Sequence, residues 1–212
     1  VRDDARRAID CAGPALPASG LGPAESNLAF RAAVAYADAA GWPSGFDVEL
    51  EKHVPAGGGL GGGSADAGAV LRALNALNPS PLPQQRLFAL ASALGADVPF
   101  MAAEAPLALA WGRGERMMAF PALPPQDVAL LFPGFGVSTA DAYGWLAERR
   151  AAEREGAAAR GPAPRMLFPH QFVAWEPVYR LAANDFEPVV FARHPALGAV
   201  RDALAAAGAR IA

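Results

Sequence analysis

Cysteine and lysine are almost missing from this chain: Cys11 and Lys52 are the single examples of each among 212 residues. One thiol excludes an internal disulfide and a cysteine-based metal cluster, and it predicts a reducing, cytoplasmic setting. The three histidines, His53, His170 and His194, are too dispersed for a metal-binding pattern, so no protein metal ligand is expected. Nowhere do eighteen apolar residues run together, and the opening Val-Arg-Asp-Asp-Ala-Arg-Arg leads into no apolar stretch, which predicts neither a membrane span nor an export signal. A basic field is lacking too. The net charge is −3 with a pI near 5.6, and the arginines are scattered, so nucleic acid is not an expected partner. Apolar residues, by contrast, are plentiful: 53% hydrophobic against 18% charged is ample for a packed core in one large domain or two small ones.

Glycine is concentrated where it carries chemistry. Pro55-Ala-Gly-Gly-Gly-Leu-Gly-Gly-Gly-Ser-Ala65 holds six glycines in the seven positions 57–63. Phe46, Val48, Leu50 and Val54 alternate ahead of it, with an interruption at Lys52, and Val70, Leu71, Leu74 and Leu77 follow with helical spacing. A flexible linker would have polar, weakly hydrophobic flanks; a strand and a helix instead predict an anion pocket, with the helix starting near Ser64. No lysine follows Gly63, so the loop is not of the G-x-x-x-x-G-K-[ST] type. Asp66, in what is expected to be the first helical turn, is read as a partner of the helix dipole.

Punctuation organises the remainder. Residues 12–24 read as loop, Ser26 as the cap of a helix reaching about Ala40, and Gly41-Trp42-Pro43 as its stop. Asn78-Pro79 closes the helix after the glycine loop. Pro83 opens another, with Gly95 as a left-handed terminator and Asp97 in the following turn. Residues 106–110 and 116–120 predict a hairpin around Trp111-Gly-Arg-Gly-Glu115. Three prolines in 121–125 predict a boundary between a domain over 1–122 and another over 126–212. In the second, a strand at Val128–Phe132, a helix from Thr139 to Arg150 capped by Ser138 or Thr139, a Gly/Ala/Pro loop over 156–164, a helix from Pro195 to Ala207 and a strand starting at Ala209 are expected.

These residues resemble the GHMP kinase superfamily, whose phosphate loop reads roughly P-x-x-x-G-L-G-S-S-A-A and matches Pro55 to Ala65. Leu94-Gly-Ala-Asp-Val-Pro-Phe100, Pro133-Gly, and Asn184-Asp-Phe-Glu-Pro188 add to the likeness. The resemblance implies an α+β, two-domain fold, with a ribosomal-S5-like N-terminal domain and a ferredoxin-like C-terminal domain. It implies ATP with Mg²⁺, the ATP held by Pro55, Ala56, Gly57, Gly58, Gly59, Leu60, Gly61, Gly62, Gly63, Ser64 and Ala65. Asp97 would then be the catalytic carboxylate, and Thr139 and Tyr143 would contact a small-molecule substrate.

The GGGLGGGSADA form is similar to the branch that phosphorylates a hydroxyl on the methylerythritol moiety of a cytidyl diphosphate ester, in isoprenoid precursor biosynthesis. A homoserine or mevalonate type of kinase, and a non-catalytic nucleotide-binding remnant, are the alternatives; homodimerisation is left open. The family's opening Lys-x-Asn-Leu strand and its last glycine motif are not in the chain, Lys52 standing at a different place. The expectation is therefore a fold truncated at both ends, with no measurable turnover by the chain alone.

Overall fold

The computed structural model describes residues 1–156 and 166–212. The loop expected over 156–164 lies outside them except for Gly156, which ends a helix. Contacts divide the chain into Val1–Pro121 and Ala122–Ala212.

The first unit opens with a strand that the sequence reading missed. β1 (Arg7–Ala12) pairs in parallel with β2 (Phe46–Glu51), Arg7 opposite Phe46 and Ala12 opposite Glu51. β1 escapes notice because Arg7 and Asp10 break its apolar pattern. A parallel pair needs a crossover, and α1 (Leu28–Ala40) supplies it. Its cap is Asn27, not Ser26: the Asn27 side chain accepts from the Ala29 amide at 2.9 Å, while the Ser26 hydroxyl donates to the Pro23 carbonyl at 2.7 Å within a short 3-10 turn. Ala29, Ala32, Ala33 and Ala37 are buried on one face of α1. Such small side chains let it lie close to α2 (Gly62–Leu77), whose Ala67, Leu71 and Leu74 fill the same core.

α3 (Gln84–Leu94) and α4 (Val98–Ala103) complete that core through Leu87, Ala91, Val98 and Ala102. Gly95 follows α3 in extended conformation (φ 176°) instead of the left-handed one expected, because the chain turns at once into α4. β3 (Leu107–Trp111) and β4 (Arg116–Phe120) form the antiparallel hairpin the glycine turn predicted.

One buried polar network ties α1 to the end of α2. The Tyr36 hydroxyl donates to Asn75 Oδ1 at 2.8 Å and accepts from Asn78 Nδ2 at 3.0 Å, while Asn75 Oδ1 also receives the Leu82 amide at 2.7 Å. Tyr36 is fully buried. Tyr36→Phe therefore leaves the amide of Asn78 short of a partner inside the core. It is expected to cost about 1–3 kcal/mol, read as a melting point lower by roughly 5–10 °C. An unchanged melting curve would mean that the network contributes nothing net.

The second unit consists, among its described residues, of helices: α5 (Thr139–Gly156), α6 (Trp175–Leu181), α7 (Glu187–Arg193) and α8 (Pro195–Ala206). The strands expected at Val128–Phe132 and from Ala209 are not formed; both stretches run without a ladder partner, and Val128 is exposed. An apolar run becomes a strand only when a neighbour takes up its N–H and C=O groups. Asn184, at the head of Asn184-Asp-Phe-Glu-Pro188, accepts from the Phe186 amide at 3.0 Å and introduces α7.

Candidate functional site

The glycine loop passes from β2 to α2 and makes one wall of a cavity of about 340 Å³. Pro55, Ala56, Gly57, Gly58, Gly59, Leu60, Gly61, Gly62, Gly63 and Ser64 all line it. Ala65, counted with them from sequence, does not: the helix has begun by Gly62, which carries residue 65 into its second half-turn. Gly57, Gly59 and Gly61 adopt φ of 75°, 71° and 69°. That left-handed backbone, disfavoured for residues with a Cβ, alternates along the loop and turns it back on itself. Gly61 caps α2, and its carbonyl accepts the Ala65 amide at 2.9 Å. The amides of Gly62, Gly63 and Ser64 precede the first intrahelical donor, the Ala65 N–H, and stand at the positive end of the helix dipole, where an anion is favoured.

Six further residues complete the lining: Leu21, Ser26, Asn27, Leu28, Lys52 and Asp66. Sequence reasoning assigned Asp66 to the helix dipole. The structure corrects this, since Asp66 is the fifth residue of α2 and its carboxylate meets Lys52 Nζ at 2.6 Å. Lys52 is only 5% exposed. Its backbone is pinned on both sides, its N–H donating to the Ala12 carbonyl at 2.7 Å and its carbonyl accepting from the Ala15 amide at 3.0 Å. The break in alternation at Lys52 was the one visible signal of this pair. Behind this wall, Asn27 Nδ2 lies 3.7 Å from Cys11 Sγ. Burial pushes the Cys11 thiol upward, the Asp10 and Asp66 carboxylates add to the rise, and Lys52 opposes it.

Asp97 stands elsewhere on the same unit. It directly precedes α4, where Pro99 fits the first turn and the Asp97 carbonyl accepts the Met101 amide at 3.1 Å. The hairpin turn presses on its neighbour: a Cβ on Gly114 (φ 104°) would come within 2.1 Å of the Ala96 carbonyl oxygen, so only glycine allows this approach. The Asp97 side chain makes no cap bond to α4, is exposed, and does not line the cavity. Met101, one turn on, reaches the loop, its Cε lying 3.1 Å from where a Gly61 Cβ would stand.

Thr139 and Tyr143 belong to the second unit. Thr139 begins α5 but does not cap it, because the Ser138 hydroxyl accepts the Asp141 amide at 3.3 Å. Tyr143 is 60% exposed and meets Phe186 edge-on, with ring centroids 4.9 Å apart, rather than packing into a core.

A glycine loop of this shape at the head of a helix, carried by a βαβ unit, has a geometry that favours an anion. Residues 27–104 match the family model described as the GHMP kinases N terminal domain. A solved structure, titled a crystal structure of 4-(cytidine 5'-diphospho)-2C-methyl-D-erythritol kinase, is similar with a TM-score of 0.64 and 37% identity, over 95% of this chain and 67% of that one. The chain belongs to the GHMP kinase family.

Curated relatives called 4-diphosphocytidyl-2-C-methyl-D-erythritol kinase include one from Geobacter sp. (strain M21), 38% identical over 184 residues, 87% of this chain and 61% of the relative. Another, from Nitratidesulfovibrio vulgaris (strain DP4), is 42% identical over 188 residues, 86% of this chain and 62% of the relative. The chain thus spans about three fifths of the length of these relatives. Among the described residues, no helix is long and apolar enough to cross a membrane.

Proposed function

We propose that this chain is the nucleotide-binding and catalytic portion of an ATP-dependent kinase that phosphorylates a hydroxyl on the methylerythritol moiety of 4-diphosphocytidyl-2-C-methylerythritol, a cytoplasmic step in isoprenoid precursor formation. The observation that carries the reading is the cavity walled by residues 55–64, with the α2 amides aimed into it. The names of the relatives support the choice of substrate.

Phosphoryl transfer through a loose transition state asks the protein mainly for positioning and charge stabilisation. The loop amides would hold the triphosphate. Asp97 would draw the proton from the substrate hydroxyl as its oxygen bonds to the γ-phosphorus and ADP leaves. Thr139 and Tyr143, neither spent on a cap nor buried, would contact the polyol. Ser26, Asn27 and Ser64 bring neutral side-chain oxygens to the cavity lining, while the Asp66 carboxylate is engaged by Lys52. Magnesium would arrive on the nucleotide phosphates, whose charge it offsets.

The test has two arms. Calorimetry on the chain itself should show ATP binding. A chimera, in which this chain replaces the matching stretch of the Geobacter relative, should phosphorylate the cytidyl compound and not homoserine, mevalonate or galactose. A site that hydrogen-bonds one particular base and polyol discriminates by about 10⁴-fold or more. Turnover with one of the other acceptors alone would keep the fold and discard the substrate. ATP binding with no turnover of any acceptor would identify a nucleotide-binding remnant.

A further inference from the structure

The cavity that is read as a triphosphate site carries a carboxylate on its wall. Asp66 lies in the lining together with the loop amides, and a fixed negative charge there opposes the entry of a polyanion. The one lysine of the chain stands against it, Nζ at 2.6 Å from the Asp66 oxygen. We propose that Lys52 is the residue that lets the glycine-loop cavity accept a polyanion, by cancelling the Asp66 carboxylate rather than by binding phosphate itself. The inference rests on the nucleotide reading of this cavity.

Three observations favour cancellation over direct contact. Lys52 is 5% exposed, so its ammonium presents little surface to a ligand. Its charge is already engaged by a short ion pair. The flanking backbone bonds to Ala12 and Ala15 fix the root of its side chain, and Gly62 stands so near that a Cβ there would lie 3.5 Å from Nζ. Asp66 is the more accessible partner, its side chain 22% exposed, and is therefore the charge an incoming anion would sense if Lys52 were removed. Opposite charges at this distance in a half-buried site interact strongly, and removing one leaves the other uncompensated.

The experiment is an ATP titration by calorimetry of the wild-type chain, Lys52→Met, Asp66→Asn and the double variant, at low and high salt, with melting curves for each. Lys52→Met should weaken ATP by at least about tenfold, with the loss shrinking at high salt as the bare carboxylate is screened. Asp66→Asn, which keeps an acceptor for Nζ, should bind as tightly as wild type or tighter. The double variant should return to within about threefold of wild type, because the cavity regains its neutral balance.

A double variant as weak as Lys52→Met would overturn the proposal and make Lys52 a phosphate ligand. Equal weakening by both single changes, without recovery in the double, would overturn it in favour of a mechanical tether. Should Lys52→Met not fold, Asp66→Asn decides alone: a loss of about tenfold or more refutes cancellation. Absence of ATP binding by the wild type would remove the nucleotide reading and this inference with it, whereas binding with the wrong order among variants removes the inference only.

Discussion

Gly61→Val should abolish measurable ATP binding while the first unit still melts cooperatively. Gly61 sits at φ 69° as the cap of α2, a conformation that a β-branched residue adopts only under strain. Two consequences separate cleanly. The fold survives, because the nearest atom to an added Cβ is the Met101 methyl at 3.1 Å, the free end of a flexible side chain that can move aside. The loop does not keep its shape, because leaving the left-handed region at residue 61 redirects the Gly62, Gly63 and Ser64 amides that face the cavity. Affinity should fall by about 100-fold or more, equivalent to roughly 2.7 kcal/mol. Unchanged nucleotide affinity with a normal melting curve would show that the loop is not the phosphate site.

Asp97→Asn, placed in the chimera with the Geobacter relative, should lower kcat by about 10²–10⁴-fold and leave the ATP dissociation constant nearly unchanged. The split follows from placement. Asp97 is absent from the lining of the loop cavity, so nucleotide contacts are untouched. Its carboxylate also makes no cap bond to α4, so the helix loses no hydrogen bond when the charge is removed. Asparagine keeps the size and one acceptor, and only the capacity to draw a proton is gone. A variant with near wild-type kcat would end the catalytic assignment, and one that loses ATP affinity equally would move Asp97 into the binding site.

Local pattern was enough for the parts of this protein that depend on neighbours in sequence. The alternation of Phe46, Val48 and Leu50 gave β2, the glycine turn gave the β3–β4 hairpin, and the spacing of Val70, Leu71, Leu74 and Leu77 gave α2. Most of the cavity wall was legible for the same reason, since residues 55–64 are contiguous and their chemistry is that of backbone amides. Strands whose existence depends on a distant partner were not legible. β1, interrupted by Arg7 and Asp10, forms because the edge of β2 is there to receive it. Val128–Phe132, which reads well as a strand, forms none because no ladder partner meets it.

The sequence by itself determined the glycine loop, its helix and the family likeness, because all three rest on short runs of residues whose backbone freedom and spacing act locally. Tertiary structure alone decided the charge balance of the site. Lys52 and Asp66 are fourteen residues apart, one just past the end of β2 and the other inside α2. Only the path of the glycine loop between them, with the backbone bonds from Ala12 and Ala15 that fix Lys52, brings ammonium and carboxylate to 2.6 Å and sets the net charge a ligand meets. An ion pair depends on distance through space and on exclusion of water, and neither is written in the spacing of a motif.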